Sequence, residues 1–357
     1  MKIVQIMPEF GLAGAEIMCE NLVYELVKLG HEVIVISMYD YHSAITERME
    51  SCNIDIRYLG KKSGLDLSVT KKIYKILKDE KPDVIHTHRY VMRYVIPAAK
   101  MAKTPRLVHT VHSVAQKECG RIDQIINKYF YKFCNVVPVA LSKLVQDTVC
   151  EVYNRKSNET PIIYNGINLD KCERKSEYQL NQKIRILHIG RFADVKNHRG
   201  LIEAFDIFQK KYKNSELLLI GEGELRNSME AMVDQLDLAN KVKFLGLKSE
   251  VCSYLKHSDI FVLPSFYEGI PMSLIEAMGT GIPIVATKVG GIPDMLESEK
   301  NALLVDVNSE MIANACERIV EDHFLREKIG SNALVAAEEF SSIKMANEYI
   351  KVYASRQ

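Results

Sequence analysis

Short runs of apolar residues alternate with amphipathic segments along the whole chain. The first half contains KIVQIMP, HEVIVISM, PDVIHTH, RLVHTVH and NVVPVALS, and the second half contains IRILHIG, ELLLIGEG, VKFLG, IFVLPS, IPIVATKV and NALLVD. Between these runs, apolar residues recur at helical spacing over 14–29, 66–79, 121–134, 199–213 and 309–321. Strands rich in Val, Ile and Leu that alternate with amphipathic helices are typical of parallel sheets covered by helices on both faces. The pattern therefore predicts an α/β protein.

This alternation starts twice. KIVQIMPEFGLAGAE and IRILHIGRFADVKN each lead from an apolar strand through a glycine-containing loop into a helix, and the polar, unpatterned segment 170-DKCERKSEYQLNQK-183 separates them. We therefore expect two Rossmann-like, doubly wound domains that face each other across a cleft. Their predicted ranges are 1–168 and 183–335, joined by a linker over 169–182. The tail 336–357 has a helical pattern with no strand after it, so we expect it to cross back to the first domain.

The bulk properties favour an ordinary globular protein. A chain of 357 residues with 47% hydrophobic residues exceeds the size of about 250–300 residues at which a single core stops growing. The eight cysteines are scattered and form no Cys-x-x-Cys pair, which fits a reducing compartment. The N-terminus lacks the apolar run of a signal peptide, and no segment has the roughly 18 consecutive apolar residues that cross a bilayer. We expect a cytoplasmic protein that meets a membrane only peripherally, at its inner face.

Charge is distributed unevenly although the net charge is only +1. From Arg57 to Lys143 there are 18 Lys and Arg against 6 Asp and Glu, a net of +12, whereas the residues after 165 have 24 basic against 28 acidic side chains. Aromatic residues are interleaved in the basic stretch. A solvated helix face and a surface for anionic lipid headgroups both explain this pattern. No nucleic-acid-binding motif accompanies the charge, so a nucleic-acid partner is not expected.

The segment 267-YEGIPMSLIE-276 has the features of an anion site. Pro271 suits the first position of a helix, and Gly279 and Gly281 suit its end. The N–H groups of Gly269–Leu274 would then lie at a helix N-terminus without internal partners, where a phosphate is favoured. Glu268, on an exposed turn, and Glu276, one turn into the helix, could each accept two hydrogen bonds from the hydroxyls of a sugar or ribose. The alternative is an acidic first turn that complements the helix dipole.

A second candidate loop is 190-GRFADVKN-197, which follows the first strand of the second domain. Arg191 and Lys196 are suited to binding the oxygens of a diphosphate. The alternative is a surface loop of average charge. No Asp-x-Asp pair occurs in the sequence, so the common carboxylate device for holding a metal against a nucleotide diphosphate is missing. We therefore expect neither a metal ion nor another cofactor, and we expect basic side chains and helix N-termini to meet the diphosphate charge.

Two features of the first domain concern the acceptor side of the predicted cleft. The loop 11-GLAGAE-16 contains Gly11 and Gly14 but lacks the Gly-x-Gly-x-x-Gly dinucleotide fingerprint. Histidines concentrate in VIHTH and VHTVHS, where metal binding is a weak interpretation because no cysteine or carboxylate completes a ligand set. His112 ends its strand at the predicted cleft, where its ring could hydrogen-bond a sugar hydroxyl or a leaving oxygen. His109 is expected to be structural.

Several of these motifs together resemble the retaining family-4 glycosyltransferases, or glycosyl transferases group 1, of the kind that builds bacterial surface polysaccharides. They are GRFADVKN, GEGEL, IIYNGIN and HSDIFVLPSFYEGIPMSLIEAMGTGIPIVATKVGGIPDML. Glu268 and Glu276 fit the Glu-x7-Glu motif of that family. The resemblance implies the GT-B fold, a nucleotide-sugar donor bound by the second domain, an acceptor bound by the first, and no required metal.

The resemblance also implies roles for individual residues. Arg191 and Lys196 would contact the donor diphosphate, Glu268 the donor sugar, Glu276 the ribose diol, and His112 the reacting centre. The donor-binding residues would be Arg191, Lys196, Glu268, Gly269, Ile270, Pro271, Met272, Ser273, Leu274 and Glu276. The residues implied to take part in catalysis are His112, Glu268, Arg191 and Lys196. Gly11 and Gly14 would lie on the acceptor side, although the family has adjacent glycines where this chain has separated ones.

The function expected from this resemblance is transfer of a sugar, with retention of configuration, from a UDP-sugar to a glycan or lipid-linked acceptor in capsule or other surface-glycan synthesis. An epimerase or hydrolase that acts on nucleotide sugars with the same fold is one alternative. A non-catalytic partner subunit of a glycosyltransferase complex is another, although a binding shell would not need all five of Arg191, Lys196, Glu268, Glu276 and His112.

Overall fold

The chain folds into two compact units. The computed structural model describes residues 1–11, 13–248 and 250–355. The first unit contains Met1–Gly166 together with the C-terminal segment from Ser342, and the second contains Ile167–Ser341. The C-terminal helix therefore belongs to the first unit.

The first unit is built around a six-stranded parallel sheet. Its strands are β1 Lys2–Met7, β2 Glu32–Ser37, β3 Asp55–Tyr58, β4 Val84–His88, β5 Arg106–Val111 and β6 Val136–Ala140. They lie in the order β3-β2-β1-β4-β5-β6. All five pairings are parallel. This is the order of a doubly wound nucleotide-binding fold, and the direction of winding reverses between β1 and β4.

Helices cover the first sheet. They are α1 Gly14–Lys28, α2 Ala44–Ser51, α3 Ser68–Glu80, α4 Met92–Ala102, α5 Ala115–Glu118, α6 Arg121–Phe133 and α7 Lys143–Tyr153, with short 3-10 turns at Arg89–Val91 and Ser157–Glu159. Their apolar residues recur at helical spacing: in α3, the residues Val69, Ile73 and Leu77 are buried. β1 supplies Ile3, Val4, Ile6 and Met7 to the cores on both faces of the sheet.

The second unit repeats the same plan. Its strands are β7 Ile184–Ile189, β8 Ser215–Ile220, β9 Val242–Phe244, β10 Ile260–Leu263, β11 Ile284–Thr287 and β12 Leu303–Val305, in the order β12-β11-β10-β7-β8-β9. Its helices are α8 His198–Lys211, α9 Arg226–Gln235, α10 Cys252–Lys256, α11 Met272–Thr280, α12 Ile292–Met295, α13 Ser309–Glu321 and α14 His323–Ala337, with 3-10 turns at Leu169–Lys171, Asp194–Lys196 and Glu338–Phe340. The predicted fold class, two Rossmann-like α/β domains, is confirmed.

The C-terminal helix α15, Ser342–Ala354, packs on the first unit. Its residues Met345, Ala346, Tyr349 and Tyr353 are buried in the core that also contains residues of α1 and β1. Arg106, at the start of β5, donates hydrogen bonds to the carbonyl of Val352. The helix therefore contributes side chains to the interior of the first unit.

The polar segment 169–182, predicted as a linker, lies within the second unit and packs against its other elements. The N–H of Lys175 donates to the carbonyl of Thr280 at 2.8 Å, and its ammonium group donates to the carbonyls of Lys256 and Ser258. Asn181 donates to the carboxylate of Asp259. Hydrogen bonds therefore fix the position of this segment, whose sequence has no apolar periodicity. Within the described residues, no helix is both long and apolar enough to cross a bilayer.

Candidate functional site

The candidate site of the second unit lies at the carboxyl ends of β7 and β10. These two strands are paired and parallel, and the direction of winding reverses between them. In open α/β sheets the loops at such a reversal diverge and leave a crevice for ligands. The loop 190–197 follows β7 and the loop 264–271 follows β10, so both predicted donor-binding segments begin at this point of the sheet.

Backbone and side-chain hydrogen bonds tie the two loops together. The N–H of Phe266 donates to the carbonyl of Val195 at 2.8 Å, and the side-chain amide of Asn197 donates to the carbonyl of Pro264 at 3.0 Å. Asn197 has a left-handed backbone (φ 52°) and also caps α8 by accepting the N–H of Gly200. One residue thus ends the first loop, starts the helix and fixes the neighbouring loop.

This arrangement places Lys196 against Glu268. The ammonium nitrogen lies 2.7 Å from Oε1 of the carboxylate, and the hydroxyl of Ser265 donates to the same oxygen at 2.6 Å. Glu268 is only 6% exposed. The predicted exposed turn is therefore wrong: the carboxylate is buried because an ammonium and a hydroxyl compensate for the loss of water.

Glycines in the loop after β11 hold the backbone of Glu268. The N–H of Gly291 donates to the carbonyl of Glu268 at 3.0 Å. Gly290 has φ +54°, and a Cβ built on it would lie 1.9 Å from that carbonyl oxygen. Only glycine permits both this backbone conformation and this close approach. The Gly-Gly pair therefore fixes the position of the loop that carries Glu268.

The N-terminus of α11 has free N–H groups, but fewer than the sequence predicted. The helix begins at Met272, one residue later than predicted. Pro271 is therefore its N-cap, with an extended backbone (φ −75°, ψ 126°), and not its first residue. The N–H groups of Leu274 and Ile275 donate to the carbonyl of Pro271. Among the described residues, those of Met272 and Ser273 have no hydrogen-bond partner. Two donors at the positive end of a nine-residue helix still favour an anion.

Glu276 lies one turn further into α11 and is half-buried. Burial, with smaller contributions from the neighbouring Cys252 and Glu250, raises the pKa of its carboxyl group to about 8. Among the described residues the carboxylate has no hydrogen-bond partner. Since no described side chain donates to this carboxyl group, a ligand hydroxyl could supply a donor.

Arg191 is not brought into this cluster. Its side chain is 72% exposed and forms an ion pair with Glu224 at 3.0 Å. Gly269 and Ile270 connect Glu268 to α11, and the side chains of Ile270 and Leu274 are buried. Of the predicted donor-binding residues, Lys196 and Glu268 are thus in contact, and the segment 269–274 directly follows Glu268 in the chain. Arg191 is exposed to solvent instead.

The predicted residues of the first unit lie at the carboxyl edge of its own sheet. His112 directly follows β5, is half-buried, and has Nε2 3.0 Å from Nδ1 of His88. Gly14 is the first residue of α1, and Gly11 precedes it in a loop whose Leu12 lies outside the described residues. A Cβ built on Gly11 would meet nothing within 4 Å, so packing does not require glycine there.

An ion pair that the sequence analysis missed lies at the winding reversal of the first sheet. Arg89 directly follows β4 with a left-handed backbone (φ 59°) and contacts Oε1 of Glu16 at 2.5 Å. Glu16 is buried in the first turn of α1, and its Oε2 has no partner among the described residues. Polar residues at strand ends are the signal that could have singled out Arg89 here and Ser265 in the second unit.

The surroundings of the histidines in β4 and β5 bear on the metal-binding interpretation. Within the described ranges, no group of three or more His, Cys, Asp or Glu side chains is arranged to hold a metal ion. His86, His88 and His109 are buried in the sheet. His109 is hydrogen-bonded to the hydroxyl of Thr87 at 2.8 Å, as a structural residue would be.

Two family models match the chain in adjoining segments. The model described as Glycosyltransferase Family 4 matches residues 12–171, and the model described as Glycosyl transferases group 1 matches residues 170–335. The chain belongs to the family-4, group 1 glycosyltransferases. This glycosyltransferase is therefore an enzyme of the transferase class, and the family predicted from the motifs is confirmed.

Characterised and uncharacterised glycosyltransferases are among its relatives. An uncharacterized glycosyltransferase of Methanocaldococcus jannaschii is 29% identical over 99% of this chain and 98% of its own length. The UDP-Gal:alpha-D-GlcNAc-diphosphoundecaprenol alpha-1,3-galactosyltransferase of Escherichia coli is 28% identical over 73% of this chain and 72% of its own. The N-acetyl-alpha-D-glucosaminyl L-malate synthase of Bacillus anthracis is 27% identical over 81% and 78%.

Solved structures agree with the fold. The crystal structure of Anabaena HepE in complex with UDP and glucose has a TM-score of 0.85, with 19% sequence identity over 100% of both chains. A sucrose-phosphate synthase from Thermosynechococcus elongatus has a TM-score of 0.77, with 20% identity over 99% of this chain and 98% of its own. The glycosyltransferase therefore has the two-domain GT-B fold.

Proposed function

We propose that this glycosyltransferase moves a sugar from a UDP-sugar to a lipid-linked glycan acceptor, with retention of anomeric configuration, in surface-glycan synthesis. The observation that carries the proposal is the buried Lys196–Glu268 pair, in which Glu268 belongs to the loop that leads into the N-terminus of α11. A cation and helix N–H groups suit a diphosphate, and a carboxylate next to them suits sugar hydroxyls. The E. coli relative named above, whose donor is UDP-Gal and whose acceptor is a diphosphoundecaprenol-linked sugar, supports the choice of substrates.

In this proposal the chain's own residues meet the charge of the leaving diphosphate. Lys196 and the N–H groups of Met272 and Ser273 bind its oxygens, Glu268 holds hydroxyls of the donor sugar, and Glu276 holds the ribose diol. The acceptor hydroxyl attacks the anomeric carbon on the face from which UDP departs. The bond to the phosphate oxygen breaks, and that oxygen takes the hydroxyl proton. Retention follows because attack and departure occur on one face.

A transfer assay tests this proposal. Purified protein is incubated with UDP-glucose, UDP-galactose or UDP-N-acetylglucosamine, with and without a diphospholipid-linked N-acetylglucosamine acceptor, and with and without EDTA. We expect release of UDP that requires the acceptor, a product with the donor's anomeric configuration by proton NMR, and a rate that EDTA leaves within about twofold. Release without acceptor would indicate a hydrolase, and an inverted product would contradict retention. A rate abolished by EDTA and restored by Mg²⁺ would contradict metal independence.

A peripheral contact with anionic membrane is part of the same proposal, and α6 is the surface that supports it. Ile122, Ile125, Tyr129 and Phe133 lie on one face of this helix and are between 57% and 73% exposed. A row of exposed basic residues borders this face, because each of them directly precedes one of its apolar residues: Arg121, Lys128 and Lys132. An apolar stripe bordered by basic residues is the composition of a helix that lies in a membrane interface.

Vesicle binding tests the role of α6. Co-sedimentation with phosphatidylcholine vesicles is expected to increase when phosphatidylglycerol is added and to decrease with salt. Replacing Lys128 and Lys132 with Gln should weaken binding about fivefold each, since a basic residue near an anionic surface contributes about 1 kcal/mol. Ile125→Ser should also weaken it. The matched control is Phe324→Ser, because Phe324 is 82% exposed on α14 of the second unit. Binding that ignores lipid charge, or equal loss in the control, would contradict the assignment.

A further inference from the structure

A chain of hydrogen bonds leads from His112 into the interior of the first unit. Nε2 of His112 lies 3.0 Å from Nδ1 of His88, and Nε2 of His88 lies 2.9 Å from Oε1 of Gln5. The side-chain amide of Gln5, on the central strand β1, donates to the hydroxyl of Tyr353 at 3.3 Å. Gln5 and His88 are fully buried. A half-exposed residue at the carboxyl edge of the sheet is thus connected to the C-terminal helix.

The chain continues beyond Tyr353. The Tyr353 hydroxyl lies 2.8 Å from Nδ1 of His86, and Nε2 of His86 lies 2.7 Å from the hydroxyl of Thr110. That hydroxyl in turn lies 2.7 Å from the hydroxyl of Tyr349, also on α15. Each of these groups is buried, so water does not compete for the bonds. The orientation of every member therefore depends on its neighbours.

The identity of the group that donates each bond follows from the chemistry of the members. Burial lowers the pKa of His112 to about 3 and that of His88 well below its usual value, so both rings are neutral at pH 7 and carry one N–H each. Oε1 of Gln5 can only accept, which puts the hydrogen of His88 on Nε2. Nδ1 of His88 then has a lone pair and accepts from His112, which puts the hydrogen of His112 on Nε2.

We propose that Gln5 and His88 are positioning residues that fix His112 as the Nε2–H tautomer. The other nitrogen, Nδ1, then presents a lone pair and has no partner among the described residues. A lone pair accepts a hydrogen bond from a hydroxyl but repels a phosphate oxygen. The inference rests on the proposed function and on the place beside the reacting sugar that the family resemblance implies for His112. It makes that contact one with a substrate hydroxyl rather than with the diphosphate.

The C-terminal helix has a part in this arrangement. The Gln5 side-chain amide donates from its nitrogen to the Tyr353 hydroxyl and presents its oxygen to His88. Removing that hydroxyl frees the amide to rotate and to present its nitrogen instead. His88 would then accept on Nε2 and donate from Nδ1, and the hydrogen of His112 would move to Nδ1. Tyr353, 348 positions from Gln5 in the chain, therefore helps to set the tautomer of His112.

Nitrogen NMR of the histidine rings tests the inference without any substrate. The full-length protein is labelled with ¹⁵N-histidine, and the His112 signals are assigned by their loss in His112→Gln. We expect the wild-type spectrum to show a protonated Nε2 and an unprotonated Nδ1. Gln5→Met, which removes the acceptor and keeps the size of the side chain, should shift His112 to a mixture of tautomers.

Activity and a matched control complete the experiment. In the transfer assay, kcat of Gln5→Met should fall about 10- to 100-fold, by analogy with residues that orient metal-binding histidines through the other ring nitrogen. Thr87→Val should leave the His112 tautomer and kcat unchanged, because the Thr87 hydroxyl contacts His109 and lies outside this chain of bonds. Should Gln5→Met fail to fold, Tyr353→Phe tests the same point by releasing the amide.

The outcomes separate this inference from the proposed function. A wild-type His112 with its hydrogen on Nδ1, or a tautomer unaffected by Gln5→Met, would overturn the inference whatever the transfer assay shows. A tautomer that changes while kcat does not would also overturn it, since the positioning would then have no effect on the reaction. Absence of transfer from any UDP-sugar would instead count against the proposed function. The tautomer of His112 determined by NMR would still be valid, because that measurement uses no substrate.

Discussion

Replacing Lys196 with methionine is expected to lower kcat by about 10²–10³ in the transfer assay, the scale for losing one preorganised electrostatic contact. Negative charge accumulates on the diphosphate as the bond to the sugar breaks, so a cation fixed beside it stabilises the transition state more than the ground state. Lys196 is already fixed by its 2.7 Å contact with Glu268. Its side chain is only 19% exposed, and little water screens its charge.

The same substitution also removes one partner of a buried ion pair, and its effect on folding needs a separate control. Lys196→Met leaves the Glu268 carboxylate with only the Ser265 hydroxyl, and breaking such a pair costs on the order of 3–5 kcal/mol in the free energy of unfolding. The double variant Lys196→Met/Glu268→Gln removes both charges. We expect it to recover most of the thermal stability and none of the activity. Recovery of activity along with stability would mean that the pair is structural only.

Arg191 provides a comparison at the same site. If it turns from Glu224 to the diphosphate when the donor binds, Arg191→Ala should lower kcat within the same range, and the double variant with Lys196→Met should lose less than the sum in free energy, because both cations would serve the same oxygens. Glu224→Ala should not lower kcat, since in that case the carboxylate would no longer contact Arg191 once the donor is bound. An Arg191→Ala variant with wild-type kcat would show that Lys196 and the N–H groups of α11 meet the charge without it.

The alternation of apolar runs was sufficient to predict both sheets, because fully buried parallel strands leave a continuous Val/Ile/Leu signature. The positions of Glu268, Lys196 and His112 at strand ends followed from the same alternation. What each side chain contacts did not follow. Lys196 and Glu268 are 72 positions apart, and their contact depends on the pairing of β7 with β10 and on the hydrogen bonds of Asn197. Local sequence patterns contain no information about such long-range geometry.

The segment 169–182 is a second case in which local sequence patterns did not predict long-range contacts. It has no apolar periodicity, which is the usual sign of a linker, yet Lys175 and Asn181 attach it to the second unit through backbone carbonyls and Asp259. The chain of hydrogen bonds that starts at His112 could not be predicted from the sequence either, since one of its members, Tyr353, belongs to the C-terminal helix. Polar contacts between distant segments depend on tertiary packing, whereas periodicity reports only which face of an element is buried.

Replacing Glu276 with alanine is expected to weaken UDP binding by about 1–3 kcal/mol, roughly 5- to 150-fold, the range for a hydrogen bond to a charged group, when binding is measured above pH 8 so that the carboxyl group is ionised. The half-buried carboxyl group has no hydrogen-bond partner among the described residues, and a ribose diol would supply two donors. Calorimetry with UDP and with 2′-deoxy-UDP isolates the contact. Wild type should bind the deoxy compound more weakly, whereas Glu276→Ala should hardly distinguish the two. A folded Glu276→Ala variant with wild-type affinity for UDP would rule out the ribose assignment.

The raised pKa of Glu276 adds a test in the absence of ligand. Its carboxyl group has a pKa of about 8 in the folded protein against an ordinary value of 4.5, so folding favours the protonated form. The resulting stability is fully present below about pH 4.5 and is lost as pH rises through 8. Glu276→Gln is always neutral and should lack this loss, so its melting temperature should gain on the wild type between pH 6 and pH 9.

UDP binding should depend on the same protonation. Hydroxyl donors favour the ionised carboxylate, so the affinity of the wild type for UDP should rise with pH up to about 8, relative to Glu276→Gln. Titration of the UDP phosphate affects both proteins alike and cancels in this comparison. Parallel pH profiles for the two proteins, in melting temperature and in UDP affinity, would mean that Glu276 is ionised throughout and that burial does not control its charge. Divergence of both profiles toward pH 8 would tie the buried carboxyl group directly to nucleotide recognition.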